Sequence, residues 1–189
     1  MAVDGPTIEI LGIEIPAAGP VFYTALVGHV AAGLTCVVAG ALAATARKRP
    51  GRHPVAGTVY LYAVSLLFVT ATVMAVLRWR EDWHLFVIGV VTFGLAATGW
   101  RIRRRRPPNW MAWHGSAMAG SYIALLTGFY VDNGPQLPIW DRLPHLTYWL
   151  APAVVGVPLT WWALRRNGAL GAAGTVRGRP AAPPGTLGR

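Results

Sequence analysis

A chain of 189 residues that is 54% hydrophobic and only 13% charged, with a mean hydropathy of +0.43, is too apolar for an ordinary water-soluble domain and points to lipid. The formal net charge of +10 would fit a nucleic-acid partner only on a basic, water-exposed fold with a recognisable binding motif; none appears, so no nucleic acid is expected. The single cysteine, Cys36, excludes an internal disulfide, a thiolate zinc cluster and haem attached covalently through C-x-x-C-H.

Residues 1–20 carry Asp4, Glu9 and Glu14 and neither Lys nor Arg. A secretory signal opens on a basic region, so this is expected to be an extracytoplasmic segment and not a cleaved leader. The alternation Ile8-Glu9-Ile10 and Ile13-Glu14-Ile15 around Leu11-Gly12 predicts a short extended or hairpin segment.

Five apolar runs follow, at about 21–46, 54–77, 83–100, 110–131 and 145–164, and a helix needs roughly 17–25 apolar residues to cross a bilayer. Extended backbone could not satisfy its own hydrogen bonds in lipid, and no alternating strand-length segments announce a barrel. The expected fold is therefore an all-α integral membrane protein, a five-helix transmembrane bundle over 21–164. Residues 165–189, rich in Gly, Pro, Ala and Arg and free of aromatics, predict a disordered basic cytoplasmic tail.

Charge sets the expected orientation. All of the 17 basic residues except Arg78, Arg80 and Arg142 fall in the first loop, the third loop or the tail, and all seven acids fall on the opposite side. By the positive-inside rule the N-terminus faces out and the C-terminus faces the cytoplasm, in a multi-pass protein of the cell membrane. Its partners would be the lipid bilayer and, at the arginine loops (Arg47–Arg52 and Arg101–Arg106), anionic lipid head groups. The nine tryptophans sit at or near helix ends, where amphipathic rings anchor at the headgroup level.

Small residues recur every fourth position at Gly28, Ala32, Cys36, Gly40 and Ala44, and again at Ser116, Gly120, Ala124 and Gly128. Such stripes let helices approach closely in lipid and predict packing seams. Pro152 and Pro158 predict kinks in the fifth helix.

No carboxylate, Lys or Arg lies inside a run, so a proton relay or a carrier of charged solutes is not expected. The hydroxyl residues lack a His–carboxylate neighbourhood, and no catalytic residue is assigned. Histidine remains. Imidazoles from different helices can ligate a b-type haem without a covalent anchor. His53 and His114 begin the second and fourth runs at the same arginine-rich end, and they are the expected axial pair for haem b, holding its iron. His29, deeper in the first run, is a reserve cofactor ligand with His84 or His145 opposite it. Arginines beside the pair would meet the haem propionates. The other reading is a non-redox membrane protein, an assembly partner or a neutral-solute carrier, in which the histidines are structural.

The residues around these histidines carry a resemblance. His29 with Gly33 and Gly40, the basic turn into His53-Pro-Val-Ala-Gly57-Thr-Val-Tyr60, and His114-Gly-Ser-Ala-Met118-Ala-Gly-Ser121-Tyr122 resemble the bacterial membrane family called domain of unknown function 2306, over roughly Gly28 to Val131. The chain departs from that pattern at Pro54, where Arg is common, and at Ala117 and Ala119, where Trp and Arg flank the methionine. The resemblance implies a membrane fold and brings no activity. A looser likeness, in helix number and histidine placement alone, is to transmembrane dihaem cytochromes b.

Overall fold

The computed structural model describes residues 7–10, 13–16, 18–47, 51–138 and 142–170. Strands β1 (Thr7–Ile10) and β2 (Ile13–Pro16) pair antiparallel with Ile8 opposite Ile15 and Glu9 opposite Glu14, as the alternation predicts. Five long helices follow: α1 (Gly19–Thr45), α2 (Arg52–Leu77), α3 (Trp79–Arg105), α4 (Trp110–Asn133) and α5 (Leu146–Arg166), with one 3-10 turn at Gly134–Gln136 after α4.

Three of these, α1, α2 and α3, are long and apolar enough to cross a membrane, with mean hydropathies of 1.9, 2.1 and 1.7 over their best stretches. Helices α4 and α5, at 24 and 21 residues, have the length. Their Trp, Tyr, Gly, Ser and Pro content lowers their hydropathy.

The helix ends depart from those of the apolar runs, most of all in α3. The third helix starts at Trp79, not Trp83, and runs to Arg105, not Trp100. Its charged ends are part of it because they suit the helix dipole. Glu81 and Asp82 lie in the first turn and Arg103, Arg104 and Arg105 in the last, each sign at the terminus that favours it. The arginine loop therefore shrinks to Arg106–Asn109, and Arg78 alone separates α2 from α3. Helix α5 likewise starts one residue later than expected, with His145 as its N-cap, runs two residues further, to Arg166, and contains Pro152 and Pro158 without being ended by them. The expected tail lies outside the described residues from 171 on.

Consecutive helices pack antiparallel, α1 on α2, α2 on α3, α3 on α4 and α4 on α5. The ring closes from α4 back to α1 through Tyr122, whose hydroxyl donates to the Val37 carbonyl at 3.0 Å. The core joins Cys36, Ala39, Tyr60, Ala63, Val64, Ala96 and Leu125. At its centre Ser121 donates to the Thr92 carbonyl at 2.8 Å, and Tyr60 donates to the Ser121 oxygen at 2.8 Å. Three helices are tied by two bonds in a place with no water to replace them. The predicted seams are used. A Cβ on Gly28 or Gly33 would touch Thr70 or Leu67 of α2, one on Gly120 or Gly128 would touch Leu95 or Ile88 of α3, and one on Gly40 would run into the Tyr122 ring. The outward faces carry Val27, Leu34, Val55, Tyr62, Val76 and Val154 exposed, an apolar belt far larger than a soluble monomer shows.

Candidate functional site

At the arginine-rich end two histidines face each other. His53 is the second residue of α2, and its Nδ1 donates to the Ala43 carbonyl at 2.9 Å. That carbonyl belongs to the last turn of α1, where C=O groups have no helical partner ahead of them. His114, in the second turn of α4, donates from Nδ1 to the Gly99 carbonyl of α3 at 2.8 Å. A glycine is what permits the approach: a Cβ at position 99 would stand 2.8 Å from the Met118 sulfur and 3.4 Å from the Ala117 Cβ.

A carbonyl oxygen can only accept, so both Nδ1 atoms carry the hydrogen. In a neutral ring the backbone acceptor thus fixes the tautomer, with the hydrogen on Nδ1 and the acceptor lone pair on Nε2. The two ring centroids are 6.5 Å apart with their planes at 90°. Both side chains are half-buried. They share a cavity of about 30 Å³ with Gly57, Trp100, Arg103 and Met118, room for a water molecule or two.

The other histidines are elsewhere. His29 lies within α1 and reaches α2 through an Nδ1 to Thr70 Oγ1 contact of 3.2 Å. The single Thr70 hydroxyl hydrogen points at the Leu66 and Leu67 carbonyls, so the threonine accepts from the imidazole. His84 lies at the acidic end beside Trp83 and Trp149, within electrostatic reach of Asp82 and Asp132. His145 packs on Tyr148. Among the described residues no ring contact joins His29, His84 or His145 to another histidine. Nor do the described residues hold a group of three or more His, Cys, Asp or Glu placed for a metal ion. The pair at His53 and His114 stands apart.

Residues 26–164 match the family model described as predicted membrane protein (DUF2306). The chain belongs to this family. The DUF2306 match takes in all five histidines and reaches α5, well beyond the stretch that carries the resemblance in sequence. No curated protein and no solved structure matches the chain. Membership makes it a membrane protein and names no reaction, so function must be argued from the site itself.

Proposed function

We propose that this DUF2306 protein holds a b-type haem at the arginine-rich end of its bundle, with His53 and His114 as axial ligands, for electron transfer in the membrane. The observation that carries the reading is the pair's geometry. Two imidazoles bonded to one metal from opposite sides at about 2.0–2.1 Å, with about 1.1 Å more from each nitrogen to its ring centre, have centroids roughly 6.3 Å apart. The His53 and His114 centroids stand 6.5 Å apart, a separation that leaves space for one metal between them. Both rings are aimed by carbonyls on rigid helices, the kind of support that keeps ligands in place.

The macrocycle needs far more room than about 30 Å³. Gly57, one turn beyond His53, has nothing within 4 Å of where a side chain would begin, so that flank is open. Thr58, Leu61 and Trp100 also line the cavity; of its walls Met118 and Arg103, both long and unbranched, would give way most readily. Arg103 then has a second use, pairing with a haem carboxylate. Bound haem would supply one-electron exchange; the chain supplies ligands, a fixed tautomer and a counter-charge.

Placement follows from charge: α4 and α5 cross with the other three, and the arginine-rich end faces the cytoplasm against anionic lipid head groups of the cell membrane.

A second reading has an observation of its own. Each histidine already ties two helices together, α2 to α1 and α4 to α3, and the cavity between them is small. As structural clamps they would suit a non-redox assembly partner or neutral-solute carrier. Absorption spectra of the full chain, expressed with ample haem and purified in detergent, decide between them. A Soret band that shifts on dithionite reduction is expected, lost in His53→Ala or His114→Ala and kept in His84→Ala. A wild type with no Soret band would leave the clamps as the whole role of these residues.

A further inference from the structure

Beside the histidine cavity lies a second hollow of a different kind. It is an open, polar groove of about 370 Å³ lined by Trp100, Arg103, Arg104 and Arg106. Three guanidiniums converge on it. The acids whose side chains are described, Glu81, Asp82 and Asp132, all stand at the opposite end of the bundle, so none offsets this charge. Like charges gathered in one hollow repel each other, and an anion placed among them removes that repulsion.

The backbone is shaped to gather them. Arg103 and Arg104 close the last turn of α3, while Arg106 sits beyond it in the left-handed region at φ 47°, ψ 53°. That conformation is strained for a residue with a Cβ and easy for a glycine. Arginine stands here where glycine would fit more easily, and its guanidinium lies over the Trp110 ring at 5.4 Å. Arg104 lies over the Trp100 ring at 4.9 Å. These ring contacts hold the two guanidiniums near the indoles, and the arginine fork suits paired hydrogen bonds to phosphate oxygens.

We infer that Trp100, Arg103, Arg104 and Arg106 form a discrete binding site for a phosphate group, supplied by the head group of an anionic phospholipid. The source is argued from position. Trp100 is 42% exposed near the end of an apolar helix long enough to cross a membrane, so the groove opens at the headgroup level with acyl chains running down the apolar flank of α3. The inference rests on the orientation and lipid contact proposed above; Trp100 and Arg103 are shared with the histidine cavity, whereas Arg104 and Arg106 belong to this groove.

The test is the thermal midpoint of the full chain in detergent, titrated with phosphatidylglycerol, with phosphatidylcholine or with inorganic phosphate. Phosphatidylglycerol should raise the midpoint and phosphatidylcholine should not. In Arg104→Gln/Arg106→Gln the apparent affinity for phosphatidylglycerol should fall about tenfold or more, whereas Arg165→Gln/Arg166→Gln, equal in charge removed, should keep it. The single change Arg106→Gly should move two readouts in opposite directions, a higher lipid-free midpoint from the relieved backbone and a weaker lipid response. Equal losses in the two double variants would overturn the discrete site while leaving general attraction to anionic lipid intact. No response to phosphatidylglycerol in the wild type would overturn both. A full response to inorganic phosphate, with nothing added by lipid, would overturn the lipid as source. Repeating the titration in His53→Ala/His114→Ala should change nothing; loss of binding there would show that the groove serves the haem carboxylates instead.

Discussion

Ser121 and Tyr60 are buried to 0% and 2% exposure, and their hydroxyls form a short relay ending on the Thr92 carbonyl. Ser121→Ala would leave the tyrosine hydroxyl without its acceptor, a loss of about 1–2 kcal/mol. Denaturation in detergent should show it, and Tyr60→Phe combined with Ser121→Ala should recover part of the loss because the orphaned hydroxyl is gone. Residue-scale features of this kind were only partly legible. His53 and His114 were readable as a pair because each starts a run at the arginine-rich end. Their partners were not: the Ala43 and Gly99 carbonyls have no side-chain signature, and only helix packing brings them within reach. The same holds for His29, whose Thr70 partner is 41 positions away.

Among elements, the small-residue stripes were read as seams and serve as seams, but which neighbour each glycine meets depends on helix rotation, which spacing alone does not give. Gly40 faces α4 across the bundle, whereas Gly28 and Gly33 face α2. Gly40→Val should therefore drive the Tyr122 ring away and cost about 1–3 kcal/mol, lowering the midpoint in detergent. Gly94→Val is the control, since nothing lies within 4 Å of that position; it should be close to neutral. Helix α3 extends past its apolar run at both ends for a physical reason. The stretch Trp79-Arg80-Glu81-Asp82 is charged enough to pass for a loop, yet acids in a first turn and arginines in a last turn stabilise the helix that contains them.

For the molecule as a whole, composition was sufficient for an all-helical membrane bundle, because lipid permits few alternatives. Charge asymmetry supports the arginine-rich end in the cytoplasm. Reporter fusions after Arg80, Arg106 and Arg166 are expected to read outside, inside and inside, and an outside signal at Arg106 would reverse the placement. The haem pair is the central claim, and its geometry offers a direct readout. Perpendicular axial imidazoles leave two iron orbitals nearly equal in energy, whereas parallel ones split them. Low-temperature electron paramagnetic resonance of the oxidised, haem-replete full chain is therefore expected to show one strongly anisotropic low-spin ferric signal, matching the 90° between the His53 and His114 planes. A rhombic low-spin signal of parallel ligands, a high-spin signal surviving haem saturation, or no ferric haem signal at all would contradict it.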